Sequence, residues 1–223
     1  MIKRDLKNIT LLSFNGVNPI ESAKALLYSS KEIEFAEMVL VSNKRPENLP
    51  SNIRYVHTNL GTVRDYNLFP YLELPDLIET DYVLMIHDDG FVINPHLWDD
   101  NFLNYDYIGA PWRYEGQRNR VGNGGFCMRS KKFVKLTKNL RYLGKHEDGE
   151  LTNDYYDYFI GNGCKYAPLD VAMKFSLESK IPECEYNLNN CFGFHGKGIV
   201  PSVFFGEGQQ FKDRIKLLDE IVL

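Results

Sequence analysis

Thr80–Asn94, TDYVLMIHDDGFVIN, is the stretch on which the reading of this chain turns. Tyr82–Ile86 is an apolar run rich in residues that suit a buried strand. It stops at His87-Asp88-Asp89-Gly90, and a second short run, Phe91–Ile93, follows. Carboxylates at the end of a buried strand need a partner, because desolvating an isolated carboxylate is prohibitively costly. A polar turn between strands, where Asp-Gly is common, would leave them in water. A bound divalent cation would take them as oxygen ligands and could hold phosphate as well. The tetrapeptide by itself favours the turn, and the residues around it favour the ligand site.

Towards the N-terminus, Asn8–Phe14 reads as a buried strand, and Met38–Ser42 and Ile53–His57 as two more strands. A helix over Pro19–Ser29 has proline in its first turn and Ala23, Leu26 and Leu27 as its inward stripe. Leu68–Ile78 reads as a helix broken at Pro70 and Pro75. Strands alternating with helices define an α/β fold with a largely parallel sheet. Ligands of such sheets bind beyond the carboxyl ends of the strands. Ser13-Phe14-Asn15, Ser42-Asn43, His57-Thr58 and His87–Asp89 all fall on that edge.

Towards the C-terminus, His96–Phe102 reads as a short helix and Tyr105–Pro111 as an extended segment leading to Trp112. Val121–Arg129 carries a glycine cluster into a strand, and Ser130 is placed to cap the next helix. Glycine inside a strand marks close approach by a ligand or by another stretch of backbone. Tyr142–Leu151 is polar and reads as a surface loop, Thr152–Ile160 as a helix, and Ala167–Ser179 as helical or mixed. Phe192–Gly196 sets His195 between aromatics and glycine. Phe211, Ile215 and Leu218 recur at helical spacing, so an amphipathic helix is expected there.

The 223 residues suit a single domain, divided at about residue 95 into two halves, 1–95 and 96–223. The apolar and charged fractions, 43% and 25%, are those of a globular protein and exclude disorder. A net charge of −4 offers no footprint for duplex nucleic acid. No stretch is long enough for a transmembrane helix or a leader peptide, which gives a cytoplasmic expectation with peripheral membrane attachment left open. Cys127, Cys164, Cys184 and Cys191 lie far apart and read as reduced thiols.

Taken in order, these features resemble the GT-A class of nucleotide-sugar glycosyltransferases. The chain has an α/β nucleotide half, an acidic DxD-like motif after the fourth strand, a glycine loop, an acidic helix start and a late histidine. More closely, HDDGFVINPHLW, YDYIGAPW, GNGGFCMRS, APLDVAMKFS and FGFHG resemble a largely uncharacterised domain-of-unknown-function family grouped with glycosyltransferases. The resemblance covers Leu68–Gly196, with YDYIGAPW followed by GNGGF its most specific part.

The resemblance implies roles position by position. Residues 1–95 would bind the nucleotide sugar and 96–223 the acceptor. Asp89 would bind a divalent cation, Mn²⁺ or Mg²⁺, and His195 would complete its shell. Asp88 would lie near the sugar or ribose, and Lys197 would meet a phosphate. His87 stands where the family pattern has its first aspartate. The catalytic base of inverting members is an acidic residue at the helix after the glycine loop. Asp148, in the pair Glu147-Asp148, and Asp154, ahead of an aromatic helix, both qualify; Asp154 is preferred because a base must be held rigidly within reach of its proton. Gly124, Gly125 and Phe126 would let the acceptor approach, with Trp112 or Phe126 stacked on a sugar face. A uracil or guanine base would lie against Ser13, Phe14 and Asn15, with Arg64 and Asn67 as further nucleotide contacts. The implied partners are a UDP- or GDP-linked donor and a glycan or other hydroxyl acceptor. A catalytically silent carbohydrate- or nucleotide-binding module is the alternative. A phosphatase using paired aspartates fits less well, since its aspartates would follow the first strand, which here ends in Ser13-Phe14-Asn15.

Overall fold

The computed structural model describes residues 3–113, 116–196 and 208–223. The first strand, β1 (Arg4–Phe14), leads through α1 (Pro19–Ser29) to β2 (Ile33–Ser42) and β3 (Ile53–His57). Then come α2 (Val63–Leu72), α3 (Leu74–Leu77) and β4 (Tyr82–Ile86). These four strands are parallel, and β1 lies between β2 and β4. Two more strands, β5 (Tyr107–Gly109) and β6 (Phe126–Ser130), complete a six-stranded sheet in the order β3-β2-β1-β4-β6-β5, with β6 antiparallel to both of its neighbours. The α/β expectation with a largely parallel sheet is therefore met, and the antiparallel strand falls in the second half of the chain.

Strand side chains alternate between the two faces of the sheet, so both faces carry apolar layers. Leu11, Leu40, Leu84 and Met128 share one core with Ala23 and Leu26 of α1. Leu12, Val39, Met85 and Cys127 share the other with Phe69 of α2 and with Phe133 of α4 (Lys131–Thr137). Ser130 caps α4 as expected, its hydroxyl accepting from the Phe133 amide at 3.1 Å. Helix α2 starts earlier than the proline pattern indicates. Thr62 and Asp65 form a reciprocal capping box that fixes its start, and Pro70 is accommodated within it. His96–Phe102 is not one helix but parts of two 3-10 turns, Pro95–Leu97 and Asp100–Asn104.

The main departure lies in the segment read as a polar surface loop. Glu147–Gly149 forms a short turn of helix, α5, which runs into a π-turn over Glu150–Asp154 and then α6 (Tyr156–Gly161). Glu147 and Glu150 are buried. Glu150 is satisfied by the Tyr71 hydroxyl at 2.7 Å and by the amides of Leu143 and Lys145. Glu147 pairs with the fully buried Arg129 on β6 at 2.8 Å. Burial raises the Glu147 carboxyl above its usual range, and the guanidinium pulls it back. Removing one member of a buried ion pair strands the other. Glu147→Ala is thus expected to cost about 3–5 kcal/mol. A clear fall in Tm by calorimetry checks this, and an unchanged Tm would refute it.

Helix α7 (Leu169–Phe175) ends in β7 (Ser176–Leu177), which pairs in parallel with β8 (Gly193–Phe194). The chain also contains α8 (Gly208–Ile215), whose Phe211 packs on Phe194 with ring centroids 5.8 Å apart. Among the described residues no helix is long and apolar enough to cross a membrane, and all four cysteines are free.

Candidate active site

Two backbone features bring distant residues together at the carboxyl ends of β1 and β4. First, His87 and Gly90 exchange amide hydrogen bonds at 3.0 and 3.3 Å, closing a tight turn with Asp88 and Asp89 at its tip. Second, the chain leaving that turn runs antiparallel beside β8, with Val92 opposite Gly193. Counting three residues outward along each strand from that bridge reaches Asp89 and Gly196. The Gly196 amide does donate to the Asp89 carbonyl at 2.8 Å. Register alone therefore delivers His195 to Asp89.

The two carboxylates of the turn face different ways. Asp88 is buried, and its two oxygens accept from the side-chain amides of Asn15 at 3.0 Å and Asn18 at 3.1 Å. Asn15 in turn accepts from the amides of Val17 and Asn18, so the start of α1 is fastened to the acidic turn. Asp89 faces the histidines: its Oδ1 lies 3.5 Å from His195 Nε2 and 4.0 Å from His87 Nδ1. His195 Nδ1 is held by Glu178 at 3.0 Å, and His87 Nε2 by the Tyr66 hydroxyl at 2.5 Å. Burial works against charge on His195, but Asp89 and Glu178 outweigh it and lift its pKa to about 10. At His87 the balance goes the other way: burial first, then the neighbouring His195, outweigh the pull of Asp89 and Asp88 and push it down to about 4.

Ligand atoms of His87, Asp89 and His195 lie within 4.8 Å of one another. An imidazole nitrogen or carboxylate oxygen binds a divalent ion such as zinc at about 2.0–2.2 Å, so ligands of one ion lie up to about 4.4 Å apart. The set fits a cation after adjustments of a few tenths of an ångström.

The glycine loop forms the wall of this cluster. A Cβ on Gly125 would lie 2.0 Å from His195 Nε2, so the imidazole rests directly on the Gly125 backbone. A Cβ on Gly124 would lie 3.0 Å from the Asp148 Cβ. The Gly124 amide donates to Asp148 Oδ2 at 3.0 Å, and the Gly149 amide to Oδ1 at 2.7 Å. Burial raises the Asp148 carboxyl, and these two amides oppose the rise. Burial raises the Tyr66 hydroxyl well above its ordinary range, and Glu147, Asp148 and Asp89 add to the rise.

Several sequence expectations change at this level. Asp154 turns to the surface and pairs with the exposed Lys145 at 2.7 Å, whereas Asp148 meets the glycine loop. Phe126 is fully buried against Phe175 and Phe192, and its ring occupies the space above Gly193, so it has no face open to a sugar. Ser13 and Phe14 still belong to β1 and are buried. Phe14 stacks on Tyr66 and Phe69. Of that trio only Asn15 reaches the site, and it does so by holding Asp88. Asn67 is also buried; its carbonyl accepts from the Glu147 amide at 2.9 Å and so orients α5 rather than a nucleotide. Arg64 is exposed in the first turn of α2. Trp112 is half-buried with its ring over Gly122. Lys197 lies outside the described residues.

The residues that sequence reasoning missed are Asn18, Tyr66 and Glu178. None has a local motif, and each gains its role only from the fold. Beside the acidic turn opens a cleft of about 800 Å³, lined among others by Val17, Asn18, Ile20, Lys24, Lys44 and Arg45. It combines apolar walls, basic groups and the asparagine that holds Asp88.

A parallel sheet with this strand order, an antiparallel sixth member and an acidic turn at the carboxyl edge of β4 is the GT-A fold of glycosyltransferases. Residues 60–195 match the family described as "Protein of unknown function (DUF5672)"; the match takes in more than half of the chain, and the chain belongs to that family. No curated protein matches the sequence. Among solved structures it is similar to the galactosyltransferase LgtC in complex with donor and acceptor sugar analogs. That likeness has a TM-score of 0.55 at 13% identity and covers 96% of this chain and 97% of LgtC. It is similar to a glycosyltransferase involved in glycosylation of the major capsid of PBCV-1, with a TM-score of 0.57 at 13% identity over 96% and 99% of the two chains. GlyE of Streptococcus pneumoniae TIGR4 gives 0.51 at 13% identity, over 99% of this chain and 63% of GlyE. At these identities the likeness is one of fold.

Proposed function

We propose that this chain is a glycosyltransferase that moves a sugar from a nucleoside diphosphate donor to a hydroxyl acceptor, with a divalent cation at Asp89 and His195 and with Asp148 as base. The observation that carries this reading is the meeting of three groups at one sheet edge. Asp89 and His195 lie 3.5 Å apart, and Asp148 is held on the other glycine of the same pair. Once bound, the cation supplies positive charge for the diphosphate as the sugar–phosphate bond breaks.

The chain's own residues would do the rest. Asn15 and Asn18 fix Asp88, and through it the turn that presents Asp89. The nucleotide would occupy the cleft beside Asn18, its base against Val17 and Ile20 and its charge near Lys24, Lys44 and Arg45. The acceptor hydroxyl has a pKa far above neutrality, so a base must take its proton as the new bond forms. Asp148 suits that duty better than Asp154: its burial raises its basicity, and two amides hold its orientation. A single base of this kind goes with inversion at the anomeric carbon. The donor's UDP or GDP identity, the hexosyl type and the glycan acceptor belong to this proposal as substrate classes to be screened.

The test is release of nucleoside diphosphate from a panel of UDP- and GDP-sugars with Mn²⁺ or Mg²⁺, alongside calorimetric titration of UDP and GDP. Release from at least one donor is expected. Cation-dependent nucleotide binding without any product would favour the silent binding module. Neither binding nor release would remove the reading altogether.

A further inference from the structure

The site described above contains a residue that its proposed chemistry does not require. His87 occupies the first position of the acidic turn, its Nδ1 4.0 Å from the same Asp89 oxygen that lies 3.5 Å from His195 Nε2. The two imidazole rings stand 5.3 Å apart, edge to face, at 73°. Each is oriented in the same manner. The outer nitrogen of His195, Nδ1, is held by Glu178 at 3.0 Å, which leaves Nε2 pointing at Asp89. The outer nitrogen of His87, Nε2, is held by the Tyr66 hydroxyl at 2.5 Å, which leaves Nδ1 on the Asp89 side. Histidines that bind metals are recognised by this arrangement: an oxygen partner fixes one nitrogen, so that the other presents its lone pair inward. A core histidine needs no second, matching partner of this kind.

We propose that His87 is the third protein ligand of the cation, and that the resulting set of two imidazoles and one carboxylate selects Mn²⁺, Co²⁺, Ni²⁺ or Zn²⁺ over Mg²⁺ and Ca²⁺. This rests on the reading of Asp89 and His195 as a cation site, but not on sugar transfer. Imidazole suits first-row transition ions, whereas Mg²⁺ and Ca²⁺ take oxygen ligands, and Mg²⁺ gives up its water reluctantly. The carboxylate that could have supplied a second hard oxygen, Asp88, is committed to Asn15 and Asn18. Both histidine side chains are mostly buried, 18% and 17% exposed, which further disfavours a well-hydrated ion.

The experiment uses the full chain stripped with EDTA and titrated calorimetrically with Mn²⁺, Co²⁺, Zn²⁺, Mg²⁺ and Ca²⁺ chlorides. Co²⁺ and Zn²⁺ are expected to bind at least about tenfold more tightly than Mg²⁺. His87→Asp should reduce that gap by improving Mg²⁺ and weakening Co²⁺. Tyr66→Phe, which only frees the outer nitrogen, should weaken Co²⁺ by about tenfold. Pulsed electron paramagnetic resonance of the unmodified protein with Mn²⁺ needs no variant and should register two coordinated imidazole nitrogens. One nitrogen, or equal affinity for Co²⁺ and Mg²⁺, would overturn the proposal. Absence of sugar transfer, with two nitrogens and the expected ranking intact, would instead count against the function proposed above.

Discussion

Gly125→Ala is expected to lower the affinity for Mn²⁺ or Co²⁺ by about 100-fold, with an overpacking cost to folding of about 1–3 kcal/mol, because it takes away the surface on which a ligand rests. The added methyl carbon would stand 2.0 Å from His195 Nε2, 2.2 Å from Cδ2 and 2.3 Å from Cε1, distances that no pair of non-bonded atoms sustains. The ring has little freedom to give way. Its amide donates to the Leu177 carbonyl, its Nδ1 is tied to Glu178, and Gly90 lies against its other edge. Gly125 does not have a left-handed backbone, so alanine is conformationally acceptable and the effect is steric alone. Titration calorimetry with Mn²⁺ checks the loss, and near-ultraviolet circular dichroism checks that the fold survives. Gly161→Ala is the control, since its Cβ would meet nothing within 4 Å. Native cation affinity in Gly125→Ala would mean that His195 is not a ligand.

The parts of the fold legible in the sequence are those whose cause is local. The inner strands β1, β2 and β4 show themselves as apolar runs because both faces of the sheet are covered along them, whereas β3, at the edge, is only partly buried. Ser130 shows itself as a cap because the capping bond spans three residues. Asp89 and His195 drew attention through their motifs, but what joins them is the pairing of Val92 with Gly193, which a linear reading does not display. The errors share a cause as well. Ser13 and Phe14 sit at the end of a strand, yet the strand remains in the sheet through both, and only the next residue emerges. Glu147 looks like a solvated acid until Arg129 of β6 is found beneath it. Phe126 looks like a platform for a sugar until Gly193, 67 positions on, is seen to leave room for its ring. Each of these depends on a partner distant in sequence, and composition or period carries no trace of such partners.

Asp148→Asn is expected to reduce turnover by about 10²–10⁴-fold while leaving the affinity for cation and nucleotide nearly unchanged, which is the signature of a lost general base. The amide is close in shape to the carboxylate. It can still accept from Gly124 or Gly149 through its oxygen, so the turn should persist. What it cannot do is take a proton from the acceptor. Asp154→Asn, by contrast, breaks only a surface pair with Lys145 and should retain near-native rates. Comparing the two variants decides between the acids directly, and an inactive Asp154→Asn beside an active Asp148→Asn would reverse the assignment. The pH profile supplies an independent reading. Burial raises the Asp148 carboxyl, so activity should climb with pH along a limb lying above the usual aspartate range. That limb should vanish in Asp148→Asn and survive in Asp154→Asn. The anomeric configuration of the product, followed by proton NMR, closes the argument: a lone base at position 148 requires inversion, and retention would leave Asp148 without its proposed duty.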